Sequence, residues 1–379
     1  MHLTTGHSDA LTTQGAISEA IAACSGADAP VAALLWMSPE YEAAAAVQAV
    51  VVRWPGLPIA GCTSDGVLSS VGGFHHEGIV LTLISGAGLR AQVEVAEGLS
   101  RDGSHAVVSA CRRMGADPAI CFAFPAPSSH DVHLSVHAAE GILQAPVVGC
   151  CSADHREFLH CQEIAGDRVL TDSMPILAIY GDLEVSVDLA SGWTPVGREY
   201  RVTRAEGQRL LEVDGRPAVE MINDYYGSEI DEPIVEFPFA VQLEPGSVPF
   251  YRAVFEVDTA SGALTLGSGV PEGAVLRMSD VELDQMLCAS REALDRSRSR
   301  LEGATSAFIF NCAGRKWVLG SSAEEEAESL LSGLSGIPAI GTYGFGEIGR
   351  LASEQVHTAY HNESCVTVFV GPRRPEQAI

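Results

Sequence analysis

The stretch Gly341-Thr342-Tyr343-Gly344-Phe345-Gly346-Glu347-Ile348-Gly349 follows a short apolar run, Ile337-Pro338-Ala339-Ile340. Its four glycines allow a tight turn and a close approach of backbone to another group. An apolar strand that runs into a Gly-rich turn is a common place for α/β proteins to bind small molecules. The same order occurs twice upstream. Leu57-Pro58-Ile59-Ala60 enters Gly61-Cys62-Thr63-Ser64-Asp65-Gly66, and Ala145-Pro146-Val147-Val148 enters Gly149-Cys150-Cys151-Ser152-Ala153-Asp154.

Each turn belongs to a longer unit. An apolar run reads as a buried strand at 31–38, 119–125 and 306–312. A helix pattern follows at 39–53, 133–143 and 323–334, and a closing apolar strand at 79–85, 175–180 and 365–370. From the start of the first strand to the turn glycine the spacings are 30, 30 and 35 residues, which marks an internal repeat. The reading is an α/β fold of repeated strand–helix–strand–turn–strand units forming layered sheets. Runs at 89–95 and 183–189 alternate in the manner of half-exposed strands.

Residues 191–300 break the pattern. Residues 201–204 and 209–213 read as a hairpin, and Pro217 opens a helix through Tyr226. Strands alternate over 248–257 and 263–266, and a long helix at 281–301 leads to the third unit. The organisation expected is two repeat units in 1–190, a mixed α+β middle segment in 191–300, and the third unit in 301–379.

A chain that is 46% hydrophobic and 19% charged can bury a large core. A formal net charge of -26 argues against nucleic acid or an anionic membrane as partner, because both need basic surface. Lysine occurs once, at Lys316. The ten cysteines fall mostly in apolar runs with no CxxC pair, so they read as reduced buried thiols. Met1-His2-Leu3-Thr4-Thr5 has no basic region or apolar core, and no apolar run reaches spanning length. A cytoplasmic protein is expected.

Asn311-Cys312-Ala313-Gly314-Arg315, Glu324-Glu325-Glu326, the 341–349 turn and His361-Asn362 together resemble the C-terminal half of the FIST (F-box and intracellular signal transduction) sensory family. Gly61-Cys62-Thr63-Ser64-Asp65-Gly66 is similar to a turn of that family's N-terminal half. Gly192-Trp193-Thr194-Pro195-Val196-Gly197 and Pro217-Ala218 are similar to its middle segment. The resemblance covers residues 30 to 370. It implies a small-ligand-binding sensory protein of signal transduction rather than an enzyme, with amino acids as the suggested ligands. It also implies an alternative, in which some members bind haem and report nitric oxide to a kinase or a cyclic-di-GMP enzyme. The signal is expected to pass to a separate protein.

Arg315 and Glu347 are the leading pair of ligand contacts. An arginine fork takes a carboxylate in two parallel hydrogen bonds, and a carboxylate can hold the ammonium of the same amino acid. The ligand set expected is Asn311, Cys312, Arg315, Gly341, Tyr343, Gly344, Glu347 and His361, with no cofactor. His361 is the axial ligand in the haem alternative. Cys312 with His361 as base would serve a cysteine enzyme, the second alternative. His133 and His137 lie one helical turn apart, and with Asp131 or His130 they could hold zinc, although there is no HExxH and the segment also reads as a helix start capped by Ser129 or Asp131. Cys62 and Cys150 hold equivalent places in the turns and read as packing residues. Asp65 and Asp154 end matching turns and are expected to bond their own backbone. Glu324-Glu325-Glu326 reads as a solvated helix start.

Overall fold

The structure is a computed structural model and describes residues 1–127, 131–244, 246–350 and 358–373. The three units are present, and each is longer than the sequence pattern implies. A lead strand opens each one: His2–Ser8, Arg90–Glu97 and Leu183–Ala190. A first helix follows: Thr13–Ala23, Leu99–Arg113 and Leu283–Arg300. Next come the centre strands Ala32–Met37, Ile120–Ala123 and Ser306–Cys312, then the second helices Ala43–Arg53, Val132–Leu143 and Ala323–Gly333. The turn strands are Ile59–Thr63, Val147–Cys150 and Ala339–Gly344, and the closing strands are Ile79–Ser85, Ser173–Tyr180 and Cys365–Pro372.

In each unit the centre and turn strands run parallel, and the closing strand pairs antiparallel with the centre strand. The repeated glycine has a packing cause. Gly61 lies on the Leu35 carbonyl and Gly149 on the Ala123 carbonyl, where a Cβ would overlap the neighbouring backbone. Gly341 takes the same place beside the Ile309 carbonyl.

Between turn strand and closing strand each unit sends out a hairpin, and none of the three returns to its own sheet. Val67–Ser69 of the first unit pairs with the third unit's turn strand, with Leu68 opposite Gly341. Glu163–Ala165 of the second unit pairs with the first, with Ile164 opposite Gly61. Glu347–Gly349 of the third unit pairs with the second, with Ile348 opposite Gly149. The exchange closes a ring with pseudo-three-fold symmetry. It also covers an edge that each turn strand would otherwise leave unpaired.

The axis of the ring is the core. Trp36, Phe124 and Phe310 occupy equivalent positions and meet edge-on in a triangle, with centroids 6.0, 5.8 and 6.4 Å apart. Phe122 and Phe308 form a second layer at 4.7 Å. Cys62, Cys150 and Thr342 are the equivalent residues of the turn strands, all fully or almost fully buried. The ten cysteines are all free thiols.

The middle segment is a seven-stranded antiparallel sheet reaching from Thr194–Glu206 to Val275–Asp280, with the helix Ala218–Tyr226 against it. It has its own core around Val202, Phe239, Val254 and Leu276. Its boundaries differ from the sequence reading. Leu183–Ala190 pairs with Cys365–Pro372, and Leu283–Arg300 packs on both strands. The long helix is therefore the first helix of the third unit, and the middle sheet is an insertion between that unit's lead strand and first helix. The insertion separates these two runs, Leu183–Ala190 and Leu283–Arg300, in the sequence, so the local pattern did not join them.

Candidate functional site

Strand Phe250–Asp258 of the middle sheet carries Arg252 in an otherwise apolar run, Phe250-Tyr251-Arg252-Ala253-Val254. The side chain is only 2% exposed. An ionised group at that depth is costly unless partnered. Two backbone carbonyls hold one side of it: Nη1 donates to Tyr251 at 3.1 Å and to Tyr360 at 3.2 Å. The guanidinium carbon lies 4.5 Å from the Phe250 ring centroid. Nε has no partner, and among the described residues no carboxylate pairs with this arginine. Burial lowers its pKa to about 10, so it stays cationic at neutral pH.

Arg252 faces a cavity of about 490 Å³ between the middle sheet, the helix Val132–Leu143 and the hairpin strand Ala359–His361. His133 and His361 line the same space. Nδ1 of His133 and Nε2 of His361 are buried without a hydrogen-bond partner. Burial and the nearby Arg252 charge push both imidazoles down, to about 4 for His133 and about 3 for His361. Both are neutral at pH 7. Asp131 caps the helix, accepting from the His133 amide at 3.1 Å. It also reaches across to the middle sheet, accepting from Ser268 Oγ at 2.6 Å and from the Gly269 amide at 3.1 Å. The amide of Ala253 donates to Asn362 Oδ1 at 3.3 Å. The cavity walls thus join the insertion to the ring through a few polar ties.

The sequence-chosen residues take other places. Arg315 is fully buried, and its fork is filled from inside the protein. It pairs with Glu326 and donates to Asn311 Oδ1 at 3.0 Å, Ser290 Oγ at 2.5 Å, the Met286 carbonyl at 3.2 Å and the Ser191 carbonyl. This corrects the expectation that Arg315 holds a ligand carboxylate opposite Glu347. Glu324 and Glu325 are exposed in the first turn of their helix, as the solvated reading expects, and the reading is corrected for Glu326 alone, which is 0% exposed and also accepts from Asn311 Nδ2 at 2.5 Å. Arg315 ties the third unit to the start and end of the insertion instead.

Glu347 lies in the hairpin that joins the second unit's sheet. Its Oε2 accepts from the Ser364 amide at 3.0 Å and hydroxyl at 2.7 Å, while Oε1 has no partner. Burial, and then the neighbouring Glu363, hold its carboxyl well above the usual range. Cys312 donates to Glu363 at 3.7 Å rather than to His361, and burial drives the thiol pKa up. That is the opposite of nucleophile activation. Gly341, Tyr343 and Gly344 are buried where the units meet; Tyr343 accepts from Asp65 and donates to Gly66 through backbone. Asp154 does bond its own loop, the amides of Phe158, Leu159 and His160. Asp65 instead takes His155, Trp317 Nε1 at 2.6 Å and Lys316, one partner from the second unit and two from the third. Of the expected ligand set, His361 is the residue that lines the large cavity. Sequence reasoning passed over Arg252, and it weighed His133 and Asp131 only as metal ligands, with Ser129 and His130 outside the described residues. The available signal was a charged residue inside an apolar strand run, the kind of exception that marks a special position.

Two family models match the chain: the FIST N domain over residues 31–216 and the FIST C domain over 218–350. The chain belongs to the FIST family. FIST domains are sensory domains of signal transduction, and that class applies here. The junction of the FIST halves falls within the middle sheet, between Arg216 and Ala218, so each half contributes strands to the insertion. The cavity therefore draws on both, with His133 from FIST N and Arg252 from FIST C. Similar proteins include an uncharacterized protein of Mycobacterium tuberculosis, 26% identical over 332 residues, covering 84% of each chain. Another, from Mycobacterium bovis, is 25% identical over 335 residues and covers 85% of this chain and 86% of its own. An uncharacterized protein of Methanocaldococcus jannaschii is 31% identical over 87 residues, 22% of this chain and 17% of its own. A crystal structure of a cyanuric acid hydrolase from A. caulinodans aligns over 99% of both chains at 10% identity, with a TM-score of 0.35. That likeness is too low to support an argument. Among the described residues, no helix is long and apolar enough to cross a membrane.

Proposed function

We propose that this FIST protein senses a small metabolite bearing a carboxylate in the cavity faced by Arg252. The observation that carries the reading is a buried guanidinium on the cavity wall, with Nη1 held by two carbonyls, Nε without a partner and no carboxylate paired with it among the described residues. A carboxylate placed there completes the hydrogen bonding of a charge that is already desolvated, so little reorganisation opposes binding. A ligand in this place touches ring and insertion together. It favours the arrangement in which the two are joined and so shifts the population seen by a separate signalling protein, such as a histidine kinase or a cyclic-di-GMP enzyme.

The test is a thermal-shift screen of carboxylate metabolites against wild type and Arg252→Lys. Lysine keeps the charge but not the fork. A ligand at 100 times its Kd adds about 2.7 kcal/mol to stability, a rise in Tm of roughly 3–4 °C in a chain of this size. Arg252→Lys is expected to lose most of that rise. A ligand that stabilises both proteins equally would remove Arg252 from the site.

His361 supports a second reading. Its buried Nε2 is unpartnered on the cavity wall, and its ring is held by the Gly349 backbone, so a nitrogen is available as an axial ligand. The residues fit a haem to that extent, with His361 as ligand and Arg252 as partner for a propionate. Haem, when bound, would supply an iron centre for a gas such as nitric oxide. Added haemin is expected to give a Soret band that survives desalting and shifts in His361→Ala; a flat spectrum rejects this reading.

A further inference from the structure

The cavity holds a second kind of information, which concerns the rest of the ligand. Beyond Arg252, its walls are mostly apolar: Phe250, Val270, Pro271, Ala359 and the face of Tyr360. Two leucines stand at its margin on facing elements, Leu134 on the helix Val132–Leu143 and Leu243 just past the strand Ile234–Gln242. They are 55% and 57% exposed. Exposed leucines are ordinary singly, but two that line one cavity offer apolar surface that an apolar body would cover.

The charges point the same way. Among the described residues Asp131 is the carboxylate that lines the cavity, and both its oxygens already accept: Oδ1 from the His133 amide and Ser268 Oγ, Oδ2 from the Gly269 amide. An ammonium would compete with the ties that join helix and insertion. The two imidazoles are neutral, so they offer a polar contact but no counter-charge. The volume, about 490 Å³, equals roughly sixteen waters and lies within the range of pockets that enclose ligands larger than a two-carbon amino acid.

We infer that the ligand is an apolar-bodied monocarboxylate, an aryl-alkyl acid or a close relative, rather than a zwitterion. Its carboxylate sits against the Arg252 guanidinium and its body lies among Phe250, Val270 and the two leucines. This rests on the cavity being the sensory site, and it narrows the class of ligand that the site selects.

The experiment is calorimetric titration of the full chain with 3-phenylpropionate, acetate, phenylalanine and glycine. The expected order is 3-phenylpropionate first, with acetate at least about tenfold weaker because it leaves the apolar walls unfilled. Arg252→Gln is expected to weaken 3-phenylpropionate about 10- to 100-fold. Because Arg252 also holds the Tyr360 carbonyl, Leu134→Gln provides a second variant at an exposed position that should not disturb folding. It is expected to weaken 3-phenylpropionate by about threefold or more and leave acetate unchanged. Phenylalanine or glycine binding as tightly as 3-phenylpropionate, with loss in Arg252→Gln, overturns the monocarboxylate class and leaves the cavity as the site. Binding of 3-phenylpropionate that neither variant changes, or no binding by any of the four acids, overturns the inference together with the site.

Discussion

Arg315→Ala is expected to destabilise the protein by about 3–5 kcal/mol, the cost of breaking a buried ion pair by removing one partner. Arg315 and Glu326 are each 0% exposed, so the remaining carboxylate cannot recover water. The loss extends past the pair. Ser290 Oγ, Asn311 Oδ1 and the carbonyls of Met286 and Ser191 would each lose a donor. Those groups come from the first helix, the centre strand and the lead-strand end of the third unit, on both sides of the insertion. In a chain of this size the shift in Tm is roughly 4–6 °C. Replacing both members, as Arg315→Met with Glu326→Leu, removes the stranded charge and is expected to recover much of the loss. Urea melts of the single and double variants decide the matter. A single variant that melts with wild type but no longer binds any ligand would return Arg315 to the binding site.

The same residues show how far the sequence could be read. The strand–turn repeat was legible because its cause is local: a parallel strand pair brings a carbonyl against one position, and only glycine fits at Gly61 and Gly149. The exchange of hairpins was not legible. The strands concerned are three residues long, and their partners lie in another unit, so nothing nearby in sequence specifies the pairing. Arg315 misled because a ligand-binding arginine and a buried structural one present the same chemistry. What separates them is Glu326, eleven positions later and on the next long helix. Tyr343 and Gly344 misled for a related reason. A Gly-rich turn permits close approach, and here the group that approaches is the Cys150 side chain of the neighbouring unit rather than a ligand. His361 reached the cavity wall by its place in the hairpin, whereas Arg252 required the three-dimensional meeting of the insertion and the ring.

Three buried carboxyls make the protein lose stability as pH rises. Burial pushes Glu163 and Glu363 up to about 8 and raises Glu347 well above its usual value. Glu163 and Glu347 stand at equivalent hairpin positions, opposite Cys62 and Cys150, and each accepts from a serine that precedes or opens a closing strand. Glu163 and Glu363 are protonated when folded and ionised when unfolded over the interval from about pH 4.5 to 8, and Glu347 acts in the same direction. The folded state then binds more protons, so stability is full below that interval and falls across it, by up to about 1.4 kcal/mol per pH unit per group. His133 and His361 act in the opposite sense, since their lowered values cost stability as pH falls below 6.5 toward about 4 and about 3. Above pH 6.5 the unfolded histidines become neutral as well, and the Met1 amino group, lowered by burial, offsets part of the carboxyl effect. From pH 6.5 to 8 Glu163 and Glu363 together are expected to cost on the order of 3 kcal/mol, and Glu347 and the growing self-repulsion of a chain with formal charge -26 add to it. Glu163→Gln removes one ionisable group while keeping a neutral side chain beside Ser152 and Ser173, so it is expected to flatten the decline. Denaturant midpoints at half-unit pH steps measure the slope. A midpoint that is constant or rises between pH 6.5 and 8 in wild type would mean that these carboxyls are ionised in the folded protein, with water or a cation at the oxygens of Glu347 and Glu363 that now lack a partner.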